Sequence, residues 1–278
     1  MSIINDLTVL LETNCQEVLC AIKKVFSNCM ICSNVHNLAN YNYLKVCRVS
    51  SGWQIFDKER LLTNCQNIID VLVSFQDYIE EIIEKFSIKH SFLCLHGGCI
   101  SDRKTDKSIG LIGPTHAGKS SLVVGAILSR KFDFISDDLI LFNTSSGKIQ
   151  IFPQIVFLRD ITLFKNHIND YCFAQGYSEF RKEYIYALSL PYPVKSLQIN
   201  MFVLINRVAQ PCSCVHSLNS SEKYESLLLN SKFVQQVSSN RMALLNVAKK
   251  VSIFRLEYQS IEDGVVGLER VLLEDRNP

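Results

Sequence analysis

Apolar positions fall at two different spacings in the first third of the chain. Residues 6–12 predict a strand, and 14–26 predict an amphipathic helix through Val18, Leu19, Ile22, Val25 and Phe26. Asn and Ser crowd positions 33–42, which reads as a loop. Residues 44–49 and 52–56 predict two strands that meet in a hairpin at Ser50-Ser51-Gly52. Leu61, Cys65, Ile68, Leu72, Phe75, Ile79, Ile82, Ile83 and Phe86 then recur every three or four residues, with Gln, Asp and Glu between them. That stripe predicts one long helix packed against a core.

From Ser91 the pattern breaks into short apolar runs separated by polar turns. Residues 91–95 predict a strand that ends at His96-Gly97-Gly98, with Cys99-Ile100 opening another and a charged turn at 102–107. An apolar run at 108–112 precedes a glycine loop, and an apolar, charge-free segment at 121–128 follows it as a helix. A strand ending in Ser136-Asp137-Asp138 is expected beside the run at 108–112. Strands at 139–143 and 148–152 follow, after which Pro153 and the residues to Arg159 leave the sheet. Residues 160–190 show no firm periodicity. Pro191-Tyr-Pro193 precedes a strand at 200–205; helices at 222–229 and 240–250, a strand at 251–258 and a helix at 261–273 complete the chain. No internal repeat or low-complexity segment appears. The change of texture divides the chain into an N-terminal α+β part, 1–90, and an α/β part, 91–278.

Composition adds bounds. With 278 residues, 47% hydrophobic and 20% charged, the chain can bury a sizeable core. A net charge of +2 is too small to point to nucleic acid or to a membrane surface. No apolar run approaches the length of a bilayer span. The first lysine is Lys23, so no basic segment precedes the early apolar residues and a cytoplasmic chain without a secretory signal is expected. Eleven cysteines, an odd number without framework spacing, read as free thiols that pack as small hydrophobes. Cys29-Met-Ile-Cys32 with His36, and Cys212-Ser-Cys214 with His216, are the only clusters, and their spacing suits zinc poorly.

Chemistry concentrates in the loop Gly113-Pro114-Thr115-His116-Ala117-Gly118-Lys119-Ser120, followed by Ser121. Strand, GxxxxGK[ST] loop and helix in that order form a phosphate cradle, because glycines let successive N–H groups point inward at phosphate oxygens. The helix start adds its own N–H groups and dipole. Lys119 can reach the β- and γ-phosphates, and the Ser120 hydroxyl can ligate Mg²⁺. Asp137 and Asp138 follow Lys119 by 18 and 19 residues. Carboxylates there can hold Mg²⁺ or take a proton from an attacking hydroxyl. Adjacent on a strand end, they point in opposite directions and divide those jobs. His96 with Gly97 marks a tight backbone path on a strand expected beside the phosphate site.

His-Gly, GxxxxGKS and Asp-Asp in this order resemble the kinases related to HPr kinase/phosphorylase, whose core is similar to phosphoenolpyruvate carboxykinase. Leu93-Cys-Leu-His-Gly-Gly-Cys-Ile100, Gly110-Leu-Ile-Gly-Pro-Thr-His-Ala-Gly-Lys-Ser-Ser-Leu122, Ile135-Ser-Asp-Asp-Leu139 and Phe152-Pro-Gln-Ile-Val-Phe-Leu-Arg159 look like successive family blocks. So does the ending, Met242-Ala-Leu-Leu-Asn-Val-Ala-Lys249 followed by Ser252-Ile-Phe-Arg-Leu-Glu-Tyr258. The resemblance, over about residues 90–273, implies a P-loop kinase core with a mixed central sheet flanked by helices. It implies ATP on residues 113–121, with Mg²⁺ on Ser120, Asp137 and Asp138. One of the two acids would be the general base and the other a metal ligand. His96 would orient the base or stabilise the transferring phosphoryl group, and Arg159 would meet transition-state charge. His116 stands where relatives usually carry Ser or Gly. The glutamate-arginine-glycine signature and the separate N-terminal domain of true HPr kinases are absent, which weighs against HPr as substrate and against phosphorylase activity.

The implied function is transfer of the γ-phosphate of ATP to a Ser or Thr hydroxyl of a small protein or peptide, such as the precursor of a modified peptide. Neither nucleic acid nor membrane is an expected partner, and assembly as a homo-oligomer stays open. A kinase for a free amino acid or sugar and a non-catalytic ATP-binding regulator are the alternatives. No Asn-Lys-x-Asp motif follows the loop, so a GTPase switch is disfavoured.

Overall fold

The computed structural model describes residues 2–4, 7–26, 42–90, 92–144, 146–152, 154–191, 197–210, 213–232 and 238–275. The fold is mixed α/β, with a large mixed sheet and six α-helices among the described residues. Its contacts divide the chain into two compact units, 1–83 with 152–190, and 84–151 with 191–278. The stretch 152–190 thus groups with the N-terminal residues, an association that a division at residue 90 does not contain. No described helix is long and apolar enough to cross a membrane.

The first unit holds β1 (Ser2–Ile4), β2 (Leu7–Thr13), α1 (Gln16–Phe26), β3 (Asn42–Val49), β4 (Gly52–Asp57) and β5 (Arg60–Cys65), then most of α2 (Ile68–Lys89). The five strands form one sheet in chain order. The helix expected from Leu61 begins instead at Ile68, and Leu61 and Cys65 lie on a strand paired with β4. Two local facts override the helical spacing. Leu61 is 43% exposed, so it adds nothing to the apolar stripe. Asn67 caps the helix, its Oδ1 accepting the Asp70 N–H at 3.0 Å, an arrangement worth about 1 kcal/mol. Leu72, Phe75, Ile79, Ile82 and Ile83 are buried as expected, with Ile68 and Phe86 half-buried and Phe75 edge-on to Phe26. The loop at 33–41 and the Cys29, Cys32 and His36 cluster lie outside the described residues, as do Cys212, Tyr192 and Pro193.

The second unit is built on a nine-stranded sheet. Its strands are β6 (Phe92–Asp102), β7 (Ser108–Ile112), β8 (Phe132–Ser136), β9 (Leu139–Asn143) and β10 (Lys148–Gln150), then, past the three strands of the first unit described next, β14 (Leu197–Arg207), β15 (Ser213–Ser217), β16 (Ser231–Lys232) and β17 (Ser252–Tyr258). Between these two groups the first unit regains β11 (Val156–Leu158), β12 (Cys172–Ser178) and β13 (Glu183–Leu188), a three-stranded antiparallel sheet. In the large sheet β7, β14 and β17 run parallel, while β6 and β15 run antiparallel to their neighbours. Leu93, Leu95 and Cys99 of β6 share a core with Leu227 of α4 (Ser220–Leu229) and with Leu244 and Val247 of α5 (Ser238–Lys250). Gly98 abuts α3 (Lys119–Leu128), and α6 (Ile261–Glu274) packs on α3 and β17.

Two expectations are corrected here. Gly97-Gly98 is not a break between strands, because β6 runs unbroken through it from Phe92 to Asp102. The glycines answer to close packing. A Cβ at Gly98 would lie 2.6 Å from Val123 Cγ2, and one at Gly97 would lie 2.4 Å from the Leu111 carbonyl oxygen. The strand ending at Ser136 does not lie beside β7 either. It pairs with β6, which separates it from the phosphate-loop strand.

Candidate active site

The glycine loop joins β7 to α3, as the sequence order predicts. Gly118 is fixed as glycine by two constraints. Its φ is 90°, and a Cβ there would lie 2.8 Å from the hydroxyl of buried Tyr258. That hydroxyl donates to the Ala117 carbonyl at 3.1 Å, so the end of β17 props the loop from below. Pro114, Thr115 and His116 are exposed, Ala117 is buried, and His116 takes a φ of 67° that non-glycine residues seldom adopt. Ser120 and Ser121 are half-buried. The first helical bond runs from the Leu122 N–H to the Gly118 carbonyl at 2.9 Å. The N–H groups of Lys119, Ser120 and Ser121 precede it, at the positive end of the helix dipole.

Lys119 is 6% exposed, and its Nζ donates to the carbonyls of Gly113 at 2.9 Å and Pro114 at 3.0 Å. Burial lowers its pKa, and the charges of Asp138 and Asp137 oppose that shift. Cation and carboxylates therefore lie in one another's field.

Register explains how the acids arrive there. β9 pairs with residues 92–96 of β6 and β8 with residues 99–102, so the two lie end to end along one edge of β6. Asp137 and Asp138 fill the gap opposite Gly98 and Gly97. The Gly97 N–H donates to the Asp138 carbonyl at 3.2 Å, and the Leu139 N–H donates to the Asp137 carbonyl at 2.7 Å. The second bond closes a three-residue turn about Asp138, whose φ is 60°. A Cβ on Gly98 would come within 3.3 Å of Asp137 Oδ1. Gly98 thus makes room for the acid turn.

Asp137 is 3% exposed, and the Ser120 side chain acts to lower its pKa. Burial, then the charge of Asp138, pushes its pKa up to about 8, against the opposing effects of Ser120, the Asp138 main chain and Lys119. Asp138 is half-buried, so the two acids occupy different surroundings. His96 is half-buried, and the charge and main chain of Asp138 act to raise its pKa. Burial and the Lys119 charge lower its pKa below the usual histidine value, so the imidazole is neutral at pH 7.

Among the described residues no group of three or more His, Cys, Asp or Glu side chains could hold a metal ion, Cys214 and His216 included. The oxygen set of Ser120, Asp137 and Asp138 is of another kind. It suits Mg²⁺, which takes one or two carboxylates and leaves its other positions to water and phosphate. Arg159 falls in the first unit, where its Nε lies 2.6 Å from Glu183 Oε2. Sequence reasoning missed three residues of the site. Tyr258 and Asn230 support the loop, and Lys232, paired with Glu84 at 2.6 Å, adds a charge that lowers the His96 pKa. No local pattern marks them, since Asn230 and Tyr258 lie 117 and 141 residues from their loop partners.

No family model matches the chain, and no curated protein matches it. Among solved structures, the HPr(Ser) kinase/phosphatase from Coxiella burnetii aligns at 11% identity with a TM-score of 0.31, over 65% of this chain and 98% of that one.

Proposed function

We propose that this chain is an ATP- and Mg²⁺-dependent kinase with an HPr kinase-like P-loop core, transferring the γ-phosphate to a Ser or Thr hydroxyl of a small protein or peptide. The observation that carries this reading is the placement of buried Lys119, whose Nζ rests on the Gly113 and Pro114 carbonyls of the phosphate loop. That cation lies within the field of Asp138 and Asp137, which is what a nucleotide–Mg²⁺ site requires. Asp137, lodged behind Ser120, takes the metal side. Asp138, half-buried beside neutral His96, can be reached by an acceptor hydroxyl and takes its proton. His96 holds the Asp138 turn in place. Residues 113–121 bind the phosphates, with Lys119 moving from its loop carbonyls to the β- and γ-phosphate oxygens. Mg²⁺ held by Ser120, Asp137 and Asp138 would supply neutralisation of the phosphate charge. The choice of a peptide acceptor rests on the resemblance of the motif blocks to the kinases related to HPr kinase/phosphorylase, and on the missing glutamate-arginine-glycine signature of true HPr kinases.

Incubation with γ-labelled ATP, Mg²⁺ and a set of peptides that differ only in Ser, Thr or Ala at one position tests the reading. Label should appear on the Ser and Thr peptides, and Lys119→Ala should lower its rate by at least about 10³-fold. Transfer by Lys119→Ala at the wild-type rate sinks the assignment of the loop. Label on free serine but on no peptide replaces the acceptor class.

A further inference from the structure

Asn230 ends α4 and is 8% exposed. Its Oδ1 accepts the Gly113 N–H at 3.0 Å, and its Nδ2 donates to the Ser226 carbonyl at 2.8 Å. Its main-chain carbonyl accepts the His96 N–H at 2.7 Å. The amide orientation is self-consistent, since a flipped side chain would set Nδ2 against the Gly113 N–H and Oδ1 against a carbonyl. One residue therefore ties the end of α4, the first peptide of the phosphate loop and the strand that carries His96. The bond to Gly113 also decides which loop amides serve a ligand. Gly113 directs its N–H at the protein, Pro114 has none, and the Ala117 N–H is given to the Pro114 carbonyl at 3.2 Å. Phosphate binding is then shifted toward the amides at the helix start. The same clamp fixes the Gly113 carbonyl on which Lys119 Nζ rests.

We infer that Asn230 is a positioning residue that sets the phosphate loop against His96, so that its side chain governs nucleotide affinity. This rests on the proposed nucleotide site, and the test separates the two. Asn230→Gly removes the side chain while keeping a residue favoured at helix ends, and Asn230→Asp retains an acceptor for Gly113. In Asn230→Gly the Gly113 amide should exchange with solvent at least about tenfold faster, while the His96 amide, bound to the main-chain carbonyl, keeps its protection. The Kd for Mg-ATP, by calorimetry on the full chain, should rise about tenfold, and Asn230→Asp should restore Gly113 protection. Unchanged Gly113 exchange in Asn230→Gly overturns the clamp. Faster exchange across all of α4 with unchanged Mg-ATP affinity reduces Asn230 to a helix cap and overturns the inference. A wild-type chain that binds no Mg-ATP overturns the kinase reading and the affinity claim together, and the exchange result still reports on the clamp separately.

Discussion

Asp70 and Asp137 are both buried carboxylates, 0% and 3% exposed, one in each compact unit. Asp70 accepts hydrogen bonds from Ser178 Oγ at 2.8 Å, from the Glu179 N–H at 3.1 Å and from Asn67 Nδ2 at 3.1 Å. Those donors fasten the first turn of α2 to the end of β12. Asp137 is set instead behind a hydroxyl, next to a second acid and within reach of a lysine charge, and its pKa is driven up to about 8. Burial alone does not distinguish a structural acid from a reactive one. What distinguishes them is whether the neighbours satisfy the charge or leave it to be met by a ligand.

Substituting each acid separates the two roles. Asp137→Asn should lower phosphate transfer by about 10³-fold or more while the fold persists, since the amide keeps the size and shape of the buried carboxyl. Asp70→Asn should leave the turnover of the folded protein unchanged in the same assay. Equal losses of turnover would collapse the distinction. The stability effect is smaller in its consequences and runs the other way. Asp70→Ala strands the donors of Ser178, Glu179 and Asn67, and should cost about 2–4 kcal/mol in urea unfolding. Asp137→Ala, which removes a carboxyl that burial already holds protonated, should cost less.

Those two acids also mark what could be read along the chain. The strand–loop–helix at 108–128 was legible because an apolar run, a fixed glycine spacing and a charge-free helix all act over a few residues. Asp137-Asp138 was legible for the same reason, yet the strand between it and the loop was not. Reading Gly97-Gly98 as a turn concealed that β6 runs straight past both acids, because a glycine needed for a neighbour's close approach looks like one needed for a bend. The same limit applies to the first unit. Tyr177 faces Tyr184 across β12 and β13, but with Tyr177 and Tyr184 both exposed the alternation in 172–188 is too weak to announce strands. Leu61 and Cys65 matched a helical spacing by accident, and only the Asn67 cap shows where the helix starts.

The smallest effect is the most discriminating. Burial and the charge of Asp138 raise the folded pKa of Asp137 to about 8 from the ordinary value of 3.8. The native state therefore holds a proton that the unfolded chain has released across the interval between those values. Stability from this group is fully present below the unfolded pKa and is lost as pH rises through about 8, with a slope of at most about 1.4 kcal/mol per pH unit. Asp137→Asn cannot lose that proton. Without nucleotide or divalent metal, it should unfold at nearly the wild-type denaturant concentration below about pH 4 and gain on the wild type steadily from there toward about pH 8. A wild-type-minus-Asp137→Asn difference that stays flat with pH would mean that Asp137 is satisfied in the way Asp70 is. The buried acid of the phosphate site would then be a second structural staple, and the catalytic pair would reduce to Asp138 and His96.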